Sequence, residues 1–221
     1  GAGEARDAGA AVDRTFAVGA FDRITVSGPY DVTVKTGGQA GVSARGGDAI
    51  LAETEVVVED GELKIRTKSR RGIRWTWGKD NQVKILVTAP AIRAATIAGS
   101  GGIDIDRVAG GDFNGQVAGS GDLSLGTIDA TNAEFGIAGS GGIRAAGKVD
   151  TLEVDIAGSG DVDLSALTAT DASVSIAGSG NVRTRATGTA KVSMMGSGNV
   201  EVTGGAKCAV SKHGSGDVRC S

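Results

Sequence analysis

Apolar and polar residues alternate through most of the second half of this chain. From residue 152, Leu152, Val154 and Ile156 are separated by single charged residues, and after a short break Val162 and Leu164 resume the pattern, with Leu167 following. A period of two puts alternate side chains on one face of a strand, so the stretch predicts strand, turn, strand. The break at its centre is Gly158-Ser159-Gly160.

That tripeptide occurs seven times, with serines at Ser100, Ser120, Ser140, Ser159, Ser179, Ser197 and Ser215, spaced 20, 20, 19, 20, 18 and 18 residues apart. The apolar slots recur around each. The first copy has Ala95, Ile97, Ile103, Ile105 and Val108; the second has Phe113, Val117, Leu123, Leu125 and Ile128. The third has Phe135, Ile137 and Ile143, the fifth Val174, Ile176 and Val182, and the sixth Val192, Met194, Val200 and Val202. A period near twenty marks stacked structural repeats. The same rule finds a copy without the tripeptide: Val26-Ser27-Gly28-Pro29-Tyr30-Asp31-Val32 overlays Ile156 to Val162, with Ile24 and Val34 in apolar slots.

Glycine fits a sharp corner because it adopts positive φ without steric cost. The pairs Gly99 and Gly101, Gly119 and Gly121, Gly139 and Gly141, Gly158 and Gly160, Gly178 and Gly180, Gly196 and Gly198, and Gly214 and Gly216 are therefore read as structural corners. The next residue is Asp122, Asp161, Asn181, Asn199 or Asp217 in five copies and Gly102 or Gly142 in two. These types tolerate turns, and Asx side chains bond the local backbone.

Equivalent residues become neighbours only when the copies stack, so the expected fold is all-β, a parallel β-helix or solenoid of about 20-residue repeats. Seven or eight coils at about 4.8 Å give a rod of roughly 35 Å. The alternative is a β-sandwich of hairpins, which requires the two strands at each corner to pair antiparallel with one another. Residues 1–15 are small and polar and are expected to be disordered. Residues 16–221 form one domain, with 37–90 a longer insertion of strands and turns and 91–221 the regular repeats. No helical period is long enough to predict a helix.

With 38 Gly, 2 Pro and only seven aromatic residues among 221, the chain suits a narrow solenoid interior better than a broad core. A net charge of −3 gives no electrostatic case for nucleic acid. No run of eighteen apolar residues exists, so no membrane-spanning helix is expected. Cys208 and Cys220 lie seven places before and five after Ser215, both in inward slots. They are expected to form a disulfide worth about 2–4 kcal/mol, which implies an oxidising compartment; the alternative is two buried thiols. Lys212 takes a slot that is apolar elsewhere, as expected of an exposed end.

The strongest local anomaly is the run from Lys64 to Lys84. It contains Arg66, Lys68, Arg70, Arg71, Arg74 and Lys79, both tryptophans, Trp75 and Trp77, and a single acid, Asp80. Tryptophan stacks on sugar faces and arginine forks onto carboxylate or phosphate. Lys68, Arg70, Arg71, Arg74, Trp75, Trp77 and Lys79 are thus a candidate site for an anionic glycan, lipopolysaccharide or membrane surface. The alternative is a solvated hairpin whose tryptophans cover the solenoid's open end. The corner Asp and Asn residues loosely resemble calcium-binding glycine-aspartate repeats. Most copies lack the second acid, and calcium wants six to eight oxygens, so a hydrogen-bonded Asx ladder is expected and no metal. Catalysis is not expected either. Repeats this short leave little loop to build a groove, His213 has no nucleophile beside it, and the corner serines lack a following helix. No cofactor is implied.

Three segments, in order, carry a family resemblance: Phe21-Asp22-Arg23-Ile24-Thr25-Val26-Ser27-Gly28, then Asp60-Gly61-Glu62-Leu63-Lys64-Ile65, then Val83-Lys84-Ile85-Leu86-Val87-Thr88-Ala89-Pro90 leading into the repeats. Over about residues 16 to 220 the chain resembles the putative auto-transporter adhesin, head GIN domain family of bacteria, a domain of unknown function. The resemblance implies a right-handed β-helix and an extracytoplasmic site, in the periplasm, at the outer membrane or on the cell surface, often behind a signal or lipoprotein peptide. It supplies no catalytic residues, and the terminal Cys pair and the basic run depart from it. The expected function is a non-catalytic, extracytoplasmic or cell-surface interaction module, an adhesin head with a glycan or protein partner and room to self-associate. An anionic glycan- or lipid-binding module using the Trp75/Trp77 loop is the alternative, and a polysaccharide-active enzyme the third reading.

Overall fold

The computed structural model describes residues 9–68 and 82–221, with the backbone of two short strands at 5–6 and 74–75. The strands are β1 (Ala5–Arg6), β2 (Ala11–Phe16), β3 (Arg23–Ser27), β4 (Asp31–Thr36) and β5 (Gly41–Gly47). A short helix α1 (Asp48–Ala52) precedes β6 (Thr54–Glu59), β7 (Glu62–Thr67), β8 (Arg74–Trp75) and β9 (Lys84–Ala89). The repeats supply β10 (Ala94–Gly99), β11 (Gly102–Gly119), β12 (Asp122–Gly139), β13 (Gly142–Gly158), β14 (Asp161–Gly178) and β15 (Asn181–Gly196). The chain closes with β16 (Asn199–Thr203), β17 (Lys207–His213) and β18 (Asp217–Cys220).

The repeats stack as a parallel β-solenoid. Each of β11 to β15 runs parallel to the next in a register that carries slot onto slot: Phe113 on Ala133, Ala133 on Leu152, Val117 on Ile137 and Ile137 on Ile156. Parallel pairing between coils rules out the sandwich of hairpins. The copy without the tripeptide is a coil of the same stack, with Val26 beside Ile97 and Val32 beside Ile103. The apolar slots form one continuous core. Thr184 is a polar exception: it occupies the slot of Leu164 and Val202, and its buried Oγ1 has no hydrogen-bond partner.

The corner uses its two glycines differently. The first has positive φ in every copy, from 115° at Gly99 to 133° at Gly196. The second is buried, and an added Cβ would run into the coil beneath: at Gly160 it would lie 2.6 Å from the Gly141 carbonyl oxygen. Serine between them points to solvent. Carbonyls of the preceding corner bind the next one, as when Ser159 and Gly160 both donate to Gly139 O at 3.0 Å. In the first coil Tyr30 stands where the second glycine would be. Its ring is fully buried, and its hydroxyl shares hydrogen bonds with Thr54 and Thr67 hydroxyls at 3.1 and 2.9 Å.

The amino-terminal end differs from expectation. Residues Ala11–Phe16, most of which fall in the segment expected to be disordered, form β2 and pair antiparallel with β5. Residues 48–52 form α1, which buries Ile50 and Leu51 although no helical period is legible. The stretch 37–90 does not stand beside the solenoid but extends it. β7 lies parallel to β3 and β9 parallel to β4; β6 then pairs antiparallel with β7, and β5 antiparallel with β9 on one edge and β2 on the other. Asp60 and Gly61, at φ of 51° and 76°, make the tight β6–β7 turn.

Candidate functional site

The exposed positions form columns, because each residue lies over its equivalent one coil away. Two residues after each serine runs the Asx ladder. Asn181 Nδ2 donates to Asp161 Oδ1 at 2.8 Å, the Asn199 backbone N–H to Asn181 Oδ1 at 3.0 Å and the Asp217 N–H to Asn199 Oδ1 at 3.3 Å. The ladder expected in place of calcium ligands is present. A similar link joins a second corner, where Asn132 Nδ2 donates to Asp112 Oδ1 at 2.8 Å.

Four residues after each serine runs a column that sequence reasoning overlooked. Asp104, Ser124, Arg144, Asp163, Arg183, Glu201 and Arg219 are successive register partners, and from Arg144 onward charge alternates coil by coil along the solenoid. Among the described residues, no ion pair joins neighbouring charges of this column. The side chains instead leave a depression of about 550 Å³ lined by Asp163, Arg183, Glu201 and Arg219 with the ladder residues beside them. Hydrogen bonds from the Ser165 hydroxyl and backbone N–H hold the Asp163 carboxyl below its ordinary range against partial burial, helped by Arg183 and Arg144.

On the sheet preceding the corner, a column of small residues, Ala98, Ala118, Ala138, Ala157 and Ala177, runs on into Met195, which is 64% exposed, and then His213. Beside it, carboxylate oxygens of Glu134, Glu153 and Asp155 lie within 4.8 Å of one another. The charges of Asp155 and Glu134 push the Glu153 carboxyl above its ordinary range. An acid whose folded pKa is raised destabilises the fold as pH rises through its ordinary range, and the penalty is absent below it. After allowance for solvent screening, Glu153→Gln is expected to raise the melting temperature by roughly 1–3 °C at neutral pH and by nothing in acid. Thermal melts at the two pH values check this.

A groove of about 800 Å³ lies on another face, although repeats this short leave little loop to build one. Its walls include Asp22, Arg93, Asp112, Glu134 and Glu153, and it passes Gly110 and Gly111. Asp22 is engaged: Arg93 Nε donates to it at 2.7 Å, which lowers its pKa against the opposing effect of burial, with Arg23 adding charge.

Much of the proposed basic site falls outside the described residues: Arg70, Arg71, Trp77 and Lys79 entirely, and the side chains of Arg74 and Trp75. The backbone of Arg74–Trp75 pairs parallel with β1. At the near end of the run, hairpin pairing supplies acids. Lys64 Nζ donates to Glu59 and Arg66 Nε to Glu55, each at 2.9 Å. Lys68 is exposed, and its ammonium donates to the Ala52 carbonyl at 3.0 Å. The run connects β7 to β9, whose places in the stack flank a corner. His213 is exposed at the end of β17, beside Met195.

Cys208 and Cys220 are disulfide-bonded, with Cα atoms 6.5 Å apart. They join β17 to β18 across the last corner. Cys208 is half-buried and Cys220 exposed; among the described residues no strand pairs with the outer edge of this rung. Lys212 is exposed above the buried Met194, as its slot predicts.

The fold and its exposed columns define a parallel β-solenoid whose chemistry lies on broad faces. The chain belongs to the putative auto-transporter adhesin, head GIN domain family, whose model matches residues 20–206. The fold is similar to that of a putative adhesin from Bacteroides fragilis, at 20% identity and a TM-score of 0.89 over 96% of this chain and 97% of that one. A putative lipid binding protein from Parabacteroides distasonis is similar at 24% identity and a TM-score of 0.76, over 96% of each chain. A putative adhesin from Parabacteroides merdae matches at 15% identity and 0.76, also over 96% of each. No curated protein matches the sequence. Among the described residues, no helix is long and apolar enough to cross a membrane.

Proposed function

We propose that this chain is a non-catalytic, extracytoplasmic interaction module, an adhesin head that displays side chains from stiff, flat faces. The observation that carries the reading is the in-register stacking of exposed positions. Asp161, Asn181, Asn199 and Asp217 stand one coil apart, tied by hydrogen bonds, so a partner meets a preorganised array. The disulfide and the family support a site in an oxidising compartment outside the cytoplasm.

An anionic glycan or lipid partner is the second reading, favoured by Lys68, whose hydrogen bond goes to a carbonyl rather than to an acid. The Lys64 and Arg66 pairs weigh the other way, since their charge is already matched. The experiment is binding to a panel of bacterial and host glycans and to anionic vesicles, at low and high salt, read by tryptophan fluorescence and by surface-immobilised protein. Binding lost on Trp75→Ala or Trp77→Ala and weakened by salt selects the basic run. Binding that ignores those changes but is lost on Asn181→Lys selects the display face. Silence across glycans, vesicles and extracellular protein partners sinks the adhesin reading.

A further inference from the structure

We infer that the face after the corner is a self-association surface, on which a second copy of this chain docks with its solenoid axis reversed. The second copy would cover the Asx ladder that the display reading offers to a partner, so partner and second copy compete for this face. The inference rests on the order of charge along the column Arg144, Asp163, Arg183, Glu201, Arg219.

An alternating column is matched by its own reverse. Place a twofold axis along the strand direction, between β14 and β15. Asp163 then faces Arg183 of the second copy, Arg144 faces Glu201, and Ser124 faces Arg219, each contact occurring twice. In the neighbouring column, Asp161 faces Asn181 and Gly142 faces Asn199. The glycine leaves room for the longer amide. One unfavourable contact falls at the rim, Asp122 opposite Asp217, where water screens it. The parallel arrangement instead stacks Arg183 on Arg183 and each acid on itself. A polyanion would meet Asp161, Asp163, Glu201 and Asp217, and a polycation would meet the arginines, so neither suits the whole face.

Two features of the free face fit this occupant. Its charges do not pair with one another along the column, although the coils lie only about 4.8 Å apart. They line an open depression of about 550 Å³ that side chains from an opposing sheet can enter. Six strands of about five residues cover roughly 500 Å² per copy, or about 1,000 Å² in all, the low end for a specific interface. The association is therefore weak, concentration-dependent and salt-sensitive.

Sedimentation velocity over a concentration series, at low and high salt, tests it. Dimer is expected at low salt and dissociates as salt rises. Arg183→Glu converts two matched contacts into two repulsive ones and is expected to weaken dimerisation about tenfold or more, with circular dichroism unchanged. The charge exchange Asp163→Arg with Arg183→Asp restores the opposed pairs between copies and is expected to restore the dimer. A monomer at every concentration and salt overturns the inference. So does a dimer that Arg183→Glu leaves intact, or one that the exchange fails to recover.

Discussion

Gly158→Ala is expected to destabilise the fold by roughly 2–6 kcal/mol, while Ser159→Ala beside it changes stability by less than about 0.5 kcal/mol. Two costs add at Gly158. Its φ of 121° lies where a residue with a Cβ is strained, at about 1–3 kcal/mol. The new Cβ would also stand 2.5 Å from the Gly139 carbonyl oxygen. That oxygen accepts hydrogen bonds from both Ser159 and Gly160 at 3.0 Å. It cannot move aside without loosening the corner, and overpacking of this kind costs a further 1–3 kcal/mol or so. Ser159 carries an exposed side chain. For a chain of this size the glycine change lowers the melting temperature by roughly 5–20 °C. Equal melting temperatures for the two variants would sink the account of the corner.

The same stacking explains how much of the architecture is legible in the chain. Every coil offers a given slot the same surroundings, so Val117, Ile137 and Ile156 meet one requirement and the period survives substitution. The copy at Val26 to Val32 is found by its slots alone, without the tripeptide. The elements that escape notice depend on unique contacts. α1 is five residues long, too short for a period of 3.6 to declare itself. β2 alternates over six residues and gains its order from β5, whose pairing residues lie some thirty positions away.

Candidate chemistry is less legible for a related reason. A charge run read along the chain from Lys64 to Lys84 omits the acids that hairpin pairing brings back. The Asp60-Gly61 turn sets Glu55 opposite Arg66 and Glu59 beside Lys64. The alternating column hides in the opposite way. Arg144, Asp163, Arg183, Glu201 and Arg219 are unremarkable singly and acquire an order only when the chain is folded at its twenty-residue period. The groove past Gly110 and Gly111 is hidden too, since its walls come from stretches as far apart as Asp22, Arg93, Asp112 and Glu153.

Breaking the Cys208–Cys220 bond, by reduction or by paired Cys→Ser substitution, is expected to free the last coil without melting the others. A cross-link over a separation of 12 residues is worth about 3 kcal/mol through the entropy it removes from the unbonded chain. β17 and β18 each pair with the preceding coil on one side only, and Val210, 49% exposed, packs against little. In a solenoid each coil is held by its neighbours, so a terminal coil opens on its own while the interior stays closed. Hydrogen exchange of the amides from Lys207 to Cys220 is therefore expected to speed by about a hundredfold, the counterpart of ~3 kcal/mol. Exchange in β12 and β13 should not change. Uniform acceleration through all coils would mean that the solenoid opens as one cooperative unit and that the staple guards the whole rod. Unchanged exchange at the end would mean that pairing with β15 and β16 alone holds the last coil.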